Sequence, residues 1–144
     1  MSQTAATPVA MNTVSVGDDL PALDIPITST LVVAGAIASN DFTPVHHSAA
    51  AARKAGMSDV FMNILTTNGL VGRFVTDWAG HDAAIRKVSI KLGSPNLPGD
   101  TMKLTGYVAS IDPGAGVVKV QVTGKNAWGN HVEGTVTVAL PQGA

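Results

Sequence analysis

The 144-residue chain contains no cysteine. That excludes disulfides, thiolate metal sites and a cysteine nucleophile, and it suits a reducing compartment. Charge is scarce as well: Asp, Glu, Lys and Arg make up 13% of the residues, and the formal net charge is -1. There is no basic run and no interleaving of aromatic residues with arginine, so neither nucleic acid nor an anionic membrane surface is expected as a partner. No apolar run approaches the roughly 20 residues of a membrane helix. The opening MSQTAATPVAMNTVSVGDDL lacks the basic start and continuous apolar stretch of a signal peptide. Phosphate loops, dinucleotide fingerprints and a GxSxG elbow are missing too. The expectation is a soluble, cytoplasmic protein.

Hydrophobic residues account for 45% of the chain, enough for one domain with a real core. Low charge on a small domain also hints at apolar surface covered by a partner subunit. Residues 1–16, rich in Thr, Ala, Ser and Pro, read as a flexible tail, and residues 17–144 as a single domain. LPALDIPIT reads as a short edge strand, since its prolines are tolerated there. TLVVAGAIASND is too short for periodicity to choose between helix and strand. HSAAAARKAGM reads as a helix closed by Gly56.

The best helix is NILTTNGLVGRFVTDWAG. Ile64, Thr67, Val71, Val75 and Trp78 share a face at 3.6-residue spacing, Asn63 is a good N-cap, and Gly80 a good stop. It is apolar on much of its circumference and is expected to be buried. Gly69 and Gly72 lower its propensity by roughly 1 kcal/mol each, which suggests close approach by a sheet or a ligand. The period then switches to two. VSIKLGSP, TMKLTGYVASI, VVKVQVTGKN and VEGTVTVAL read as four half-buried strands, joined by turn sequences such as DPGAG and AWGN. One long helix followed by antiparallel strands is an α+β pattern, met by a curved sheet wrapped round a central helix.

Chemistry concentrates in ASNDFTPVHHSAAAA. Asp41 and His46 lie five residues apart around Pro44, which fixes its own φ and biases Thr43 to extended geometry. In such a bent loop both side chains could converge on one water, with His46 exchanging protons near neutral pH. Equally, Asp41 could cap a turn and His46 or His47 could start the alanine-rich helix. A metal site is not expected. His46 and His47 would point roughly 100° apart on a helix, and His81 and His131 read as loop residues. The start of the long helix offers free N–H groups for an oxyanion, as every helix start does.

SNDFTPVHHSAAAA resembles the hydratase motif of the MaoC-like (R)-specific enoyl-CoA hydratases, G-D-x-N-P-[LIV]-H-x5-A. Asp41, Pro44, Val45, His46 and Ala52 fall in register. PGDTMKLTGYV and NAWGNHVEGTVTVAL resemble the family's strands, so the likeness runs from about Leu20 to Leu140. It implies the hotdog fold and hydration of a 2-enoyl-CoA thioester. Asp41 and His46 would activate the water, and a backbone N–H at or beside Ile64 would hold the thioester oxygen. No cofactor is implied, since CoA belongs to the acyl-CoA substrate. The departures are Asn40 for the family's Gly, Thr43 for its Asn, and Asn63-Ile64 for its His-Gly. Ile64 would crowd the thioester, and Asn63 could compensate as a side-chain donor. FMNILTTNGLVGRFVTDWAG is similar to the small subunit of heteromeric MaoC-like hydratases that act on steroid side-chain enoyl-CoA thioesters. That likeness implies a second MaoC-like hotdog subunit in a heterotetramer. A hotdog acyl-CoA thioesterase and a non-catalytic partner subunit are the alternatives.

Overall fold

The computed structural model describes residues 8–143. The elements are β1 (Leu23–Pro26), α1 (Ser29–Ala38), α2 (Ala49–Lys54), α3 (Ile64–Ala79), β2 (Ala84–Leu92), β3 (Thr101–Asp112), β4 (Val117–Asn126) and β5 (Gly129–Ala139). Two short 3-10 turns, Met11–Thr13 and Pro44–His46, complete them. All strand pairings are antiparallel, in the order β1-β3-β4-β5-β2. Pro26 sits on an edge strand, where its missing N–H breaks no ladder. Among the described residues no helix is long and apolar enough to cross a membrane.

The period-two pattern makes one face of the sheet apolar, and register turns that face into rows. Val88, Val136, Val120 and Val108 are successive cross-strand partners. Helix α3 lays Val71, Phe74, Val75 and Ala79 into the same core. Each fully buried valine or phenylalanine contributes roughly 1.5–3 kcal/mol of transfer free energy. At Gly106 a Cβ would come within 3.0 Å of the Phe74 ring, so a bare backbone lets the helix reach the sheet there.

Several expectations change in detail. TLVVAGAIASND forms α1, capped by the Thr28 hydroxyl, which accepts from Leu31 N at 3.0 Å. Helix α3 buries one face rather than most of its circumference, and Ile64 and Leu65 in its first turn are exposed. Ile64 thus drops off the predicted stripe, while Thr67, Val71 and Val75 stay on it. The close helix–helix approach falls on Gly35 of α1, where a Cβ would drive into the Thr66 side chain; one on Gly69 meets nothing within 4 Å, and one on Gly72 only an ordinary contact with Ile85 of β2 at 3.5 Å. Part of the stretch expected as a tail, from Val9 on, is docked on the domain. Residues 1–7 lie outside the described residues, but Val9 N donates to Ala79 O, Met11 N donates to Pro141 O, and Met11 is buried. An apolar Met and Val within a polar stretch supply that docking.

Candidate active site

The segment between α1 and α3 brings the motif residues together. After the α1 C-cap at Ser39, Asn40 takes φ +56, a left-handed conformation that asparagine tolerates better than most residues. This explains how Asn can stand where the resembled motif has Gly. The reversal lets Asp41 N donate to Ala36 O at 2.9 Å and points the carboxylate back toward α3. Pro44 then starts the 3-10 turn that carries His46.

His46 and Asp41 meet: Nε2 stands 3.4 Å from Oδ2. The ring is packed edge-on against Phe61, with centroids 4.9 Å apart. Its Nδ1 lies 2.7 Å from the Phe61 carbonyl. A carbonyl only accepts, so Nδ1 carries a proton and, in the neutral ring, Nε2 presents a lone pair. A lone pair facing a carboxylate has no proton between them. A water donating one hydrogen to each satisfies both.

Asp41 is held as a carboxylate. Thr43 Oγ1 donates to Oδ1 at 2.7 Å, Thr43 N at 3.2 Å, and Asn63 Nδ2 donates to Oδ2 at 2.9 Å. The Thr43 hydroxyl and the Asn63 amide lead in lowering the pKa from 3.8 to about 2, helped by Thr43 N–H and the nearby imidazole and opposed by desolvation. A group this acidic is a feeble base near neutral pH. Such a carboxylate can orient a water and stabilise a neighbouring imidazolium.

Asn63 is buried and fully engaged. Its Oδ1 accepts from Thr66 N at 3.0 Å and Thr66 Oγ1 at 2.6 Å, which caps α3. Its two amide hydrogens go to Asp41 Oδ2 and, at 3.0 Å, to Ser39 Oγ. The expectation that Asn63 could donate from its side chain to a thioester is therefore corrected. The amide has no hydrogen left, and it serves instead as a clamp on the Asp41 carboxylate. Ile64 is the first residue of α3. Among the described residues no acceptor is found for the backbone N–H of Ile64 or Leu65. The free donors at this helix start thus stand beside the clamp. His47 takes no part in the pair; its Nε2 lies 3.2 Å from Phe42 O.

Beside the pair, α1 and α3 leave an open groove of about 300 Å³, lined by Gly35, Ala38, Ser39, Leu65, Thr66 and Leu70 with Gly69. Ser39 and Thr66, both bonded to Asn63, connect it to the Asp41 side chain. Exposed Ile37 lies on α1, Ile64 and Leu65 on α3, and exposed Phe42 directly follows Asp41.

Sequence reasoning missed Thr43, Ser39, Thr66 and Phe61, whose parts depend on backbone direction and not on residue type. Thr43 had a weak signal, a hydroxyl two residues beyond an aspartate, which is the spacing of a local turn. His131, expected in a loop, is a buried strand residue.

A long helix laid on one antiparallel sheet is the architecture of the hotdog class. Residues 12–130 match the MaoC like domain family, and the chain belongs to it. It is 41% identical, over 125 residues, to the 3-oxo-4,17-pregnadiene-20-carboxyl-CoA hydratase beta subunit of Mycobacterium tuberculosis, spanning 87% of this chain and 95% of that protein. A chain in the crystal structure of the ChsH1-ChsH2 complex from Mycobacterium tuberculosis superposes with a TM-score of 0.85 at 40% identity, covering 88% of this chain and 98% of that one. R-hydratase PhaJ1 from Pseudomonas aeruginosa shares the fold, with a TM-score of 0.86 at 19% identity over 94% of this chain and 88% of that one.

Proposed function

We propose that the chain is the catalytic subunit of a heteromeric enoyl-CoA hydratase that adds water across the 2,3-double bond of a bulky steroid side-chain thioester. The observation that carries this reading is the Asp41–His46 pair, 3.4 Å apart, with Nδ1 of His46 bonded to Phe61 O. The lone pair on Nε2 takes a proton from a water oriented by Asp41, and the resulting hydroxide attacks C3. Negative charge moves onto the thioester oxygen, where the Ile64 N–H receives it. The imidazolium returns the proton to C2, giving the 3-hydroxyacyl-CoA and restoring neutral His46. No cofactor enters, because CoA is part of the substrate.

Support for the acyl group and for the second subunit comes from relatives. One is named for a pregnadiene-carboxyl-CoA and as a beta subunit, and the other was solved in a two-protein complex. The apolar residues left exposed beside the pair suit both a bulky acyl group and a partner surface. A second MaoC-like hotdog chain, in a heterotetramer, is the partner proposed. We place the assembly in the cytoplasm, in keeping with the lack of cysteine.

The test mixes the chain with a MaoC-like partner subunit and follows loss of enoyl absorbance, for the parent, Asp41→Asn and His46→Ala. Both variants are expected to lose most activity. Full activity in both would refute the assignment. Release of free CoA thiol instead of hydroxyacyl-CoA would identify a thioesterase. Activity that needs this chain yet ignores Asp41→Asn would make it a non-catalytic partner.

A further inference from the structure

Strand β5 spends a bulge on one residue. In its pairing with β4, Gly124 stands opposite Val132 while Lys125 stands opposite Asn130, so His131 has no partner and the register shifts there. A bulge re-aims a side chain. Without it, His131 would point away from the core face that Val132 occupies; with it, both are buried, His131 at 2% exposure.

The ring's two nitrogens are both engaged. Nδ1 lies 2.6 Å from Ser94 O, so it carries the proton. Nε2 therefore accepts, and its partner is the Thr67 hydroxyl at 2.8 Å. Burial lowers the pKa of His131, outweighing the opposing effect of the Ser94 carbonyl, and so favours the neutral ring this pattern requires. Thr67 is one turn into α3, and its N–H donates to Asn63 O at 3.3 Å. The loop that holds His131 also holds the approach to α3, because Met62 N donates to Asn96 O at 3.1 Å. Asn96 is itself buried and fixed by Asn126 Nδ2 at 3.0 Å. One loop, residues 94–96, thus fastens α3 ahead of Asn63 through Met62 and behind it through His131 and Thr67.

We propose that His131 is a positioning residue for the hydration reaction. Through Thr67 it sets where the first turn of α3 holds the Asn63 clamp and the Ile64 amide. The proposal rests on the hydratase reading for its kinetic consequence, and on the geometry alone for its structural one. Reactions of this kind are sensitive to small displacements, since about 1 Å can cost about a hundredfold in rate.

The experiment uses the full chain with its partner subunit and a 2-enoyl-CoA. Thr67→Val and His131→Leu are each expected to lower kcat about ten- to a hundredfold, with KM within about twofold. The double variant should be no slower than the worse single one, because both break the same bond. Thr67→Ser, which keeps the hydroxyl, should match the parent, and His131→Gln, whose amide oxygen can accept from Thr67, should recover most of the rate. A folded Thr67→Val with parental kcat, or losses that multiply in the double variant, would overturn the proposal. Amide hydrogen exchange at Thr66, whose N–H donates to Asn63 Oδ1, provides a readout that needs no substrate and is expected to speed up about tenfold in Thr67→Val. Unchanged exchange overturns the positioning role whatever the kinetics. Faster exchange in an assembly whose parent does not hydrate enoyl-CoA supports positioning and removes the hydratase reading alone.

Discussion

Replacing Ile64 by proline isolates a single backbone N–H. Ile64 is the first residue of α3, a position where proline is favoured because its N–H has no partner within the helix. The residue before a proline must be extended, and Asn63 already is, at φ -79 and ψ 161. The side chain lost is about half exposed, so its removal should cost under about 1 kcal/mol. Restricting the unfolded chain returns roughly 0.4–1 kcal/mol. The melting temperature of Ile64→Pro should therefore stay within about 3 °C of the parent. Kinetics should not be spared. Removing one oxyanion donor typically lowers kcat about a hundred- to a thousandfold, or about 2.7–4 kcal/mol. Enoyl absorbance measures the rate in the complete assembly, with Ile64→Ala as the control that alters the side chain and keeps the N–H. A stable Ile64→Pro that hydrates as fast as Ile64→Ala would show that this N–H is not the donor.

Asn63 joins two tasks that substitution can separate. Asn63→Ala should cost about 1 kcal/mol through loss of the cap, whereas Asn63→Ser keeps a capping oxygen and should melt nearer the parent. Both lose the donor to Asp41 Oδ2, so both should hydrate slowly, and the Asp41 pKa should climb from about 2 toward 3.8 in a carboxyl NMR titration. Equal stability of the two variants would refute the cap. Gly69→Ala, at a mid-helix site where a Cβ meets nothing, should stabilise the isolated chain by roughly 1 kcal/mol. A lower melting temperature would contradict the open surface described there. His131 should make the fold acid-sensitive. Its pKa lies below 6.5 in the native state, so the unfolded chain binds the proton first, and stability should fall as pH drops below about 6.5. Urea titrations at pH 7.5 and 5.5 should reveal a loss that disappears in His131→Gln. A loss of the same size in that variant would place its origin elsewhere.

The alternating valines of the strands, the Asn63 cap and the Gly80 stop determined the sheet and the long helix directly from sequence, because pleat and helical period are local geometry. The pairing of Asp41 with His46 was half legible. Spacing around Pro44 permitted it, but permission held equally for a cap and a surface histidine. Tertiary structure decided the case, since the Phe61 carbonyl that fixes the imidazole is 15 residues from His46 and the Asn63 amide is 22 from Asp41. For Asn63 the residue type suggested a donor to substrate, and the fold assigned both hydrogens elsewhere. His131 was least legible of all. Strict alternation would turn it away from the core face of Val132, and only the register of β5 against β4 reveals the bulge that turns it inward. Local periodicity is written in the order of residues along the chain. Register, and with it the company each polar group keeps, is set only when distant strands compete for the same core.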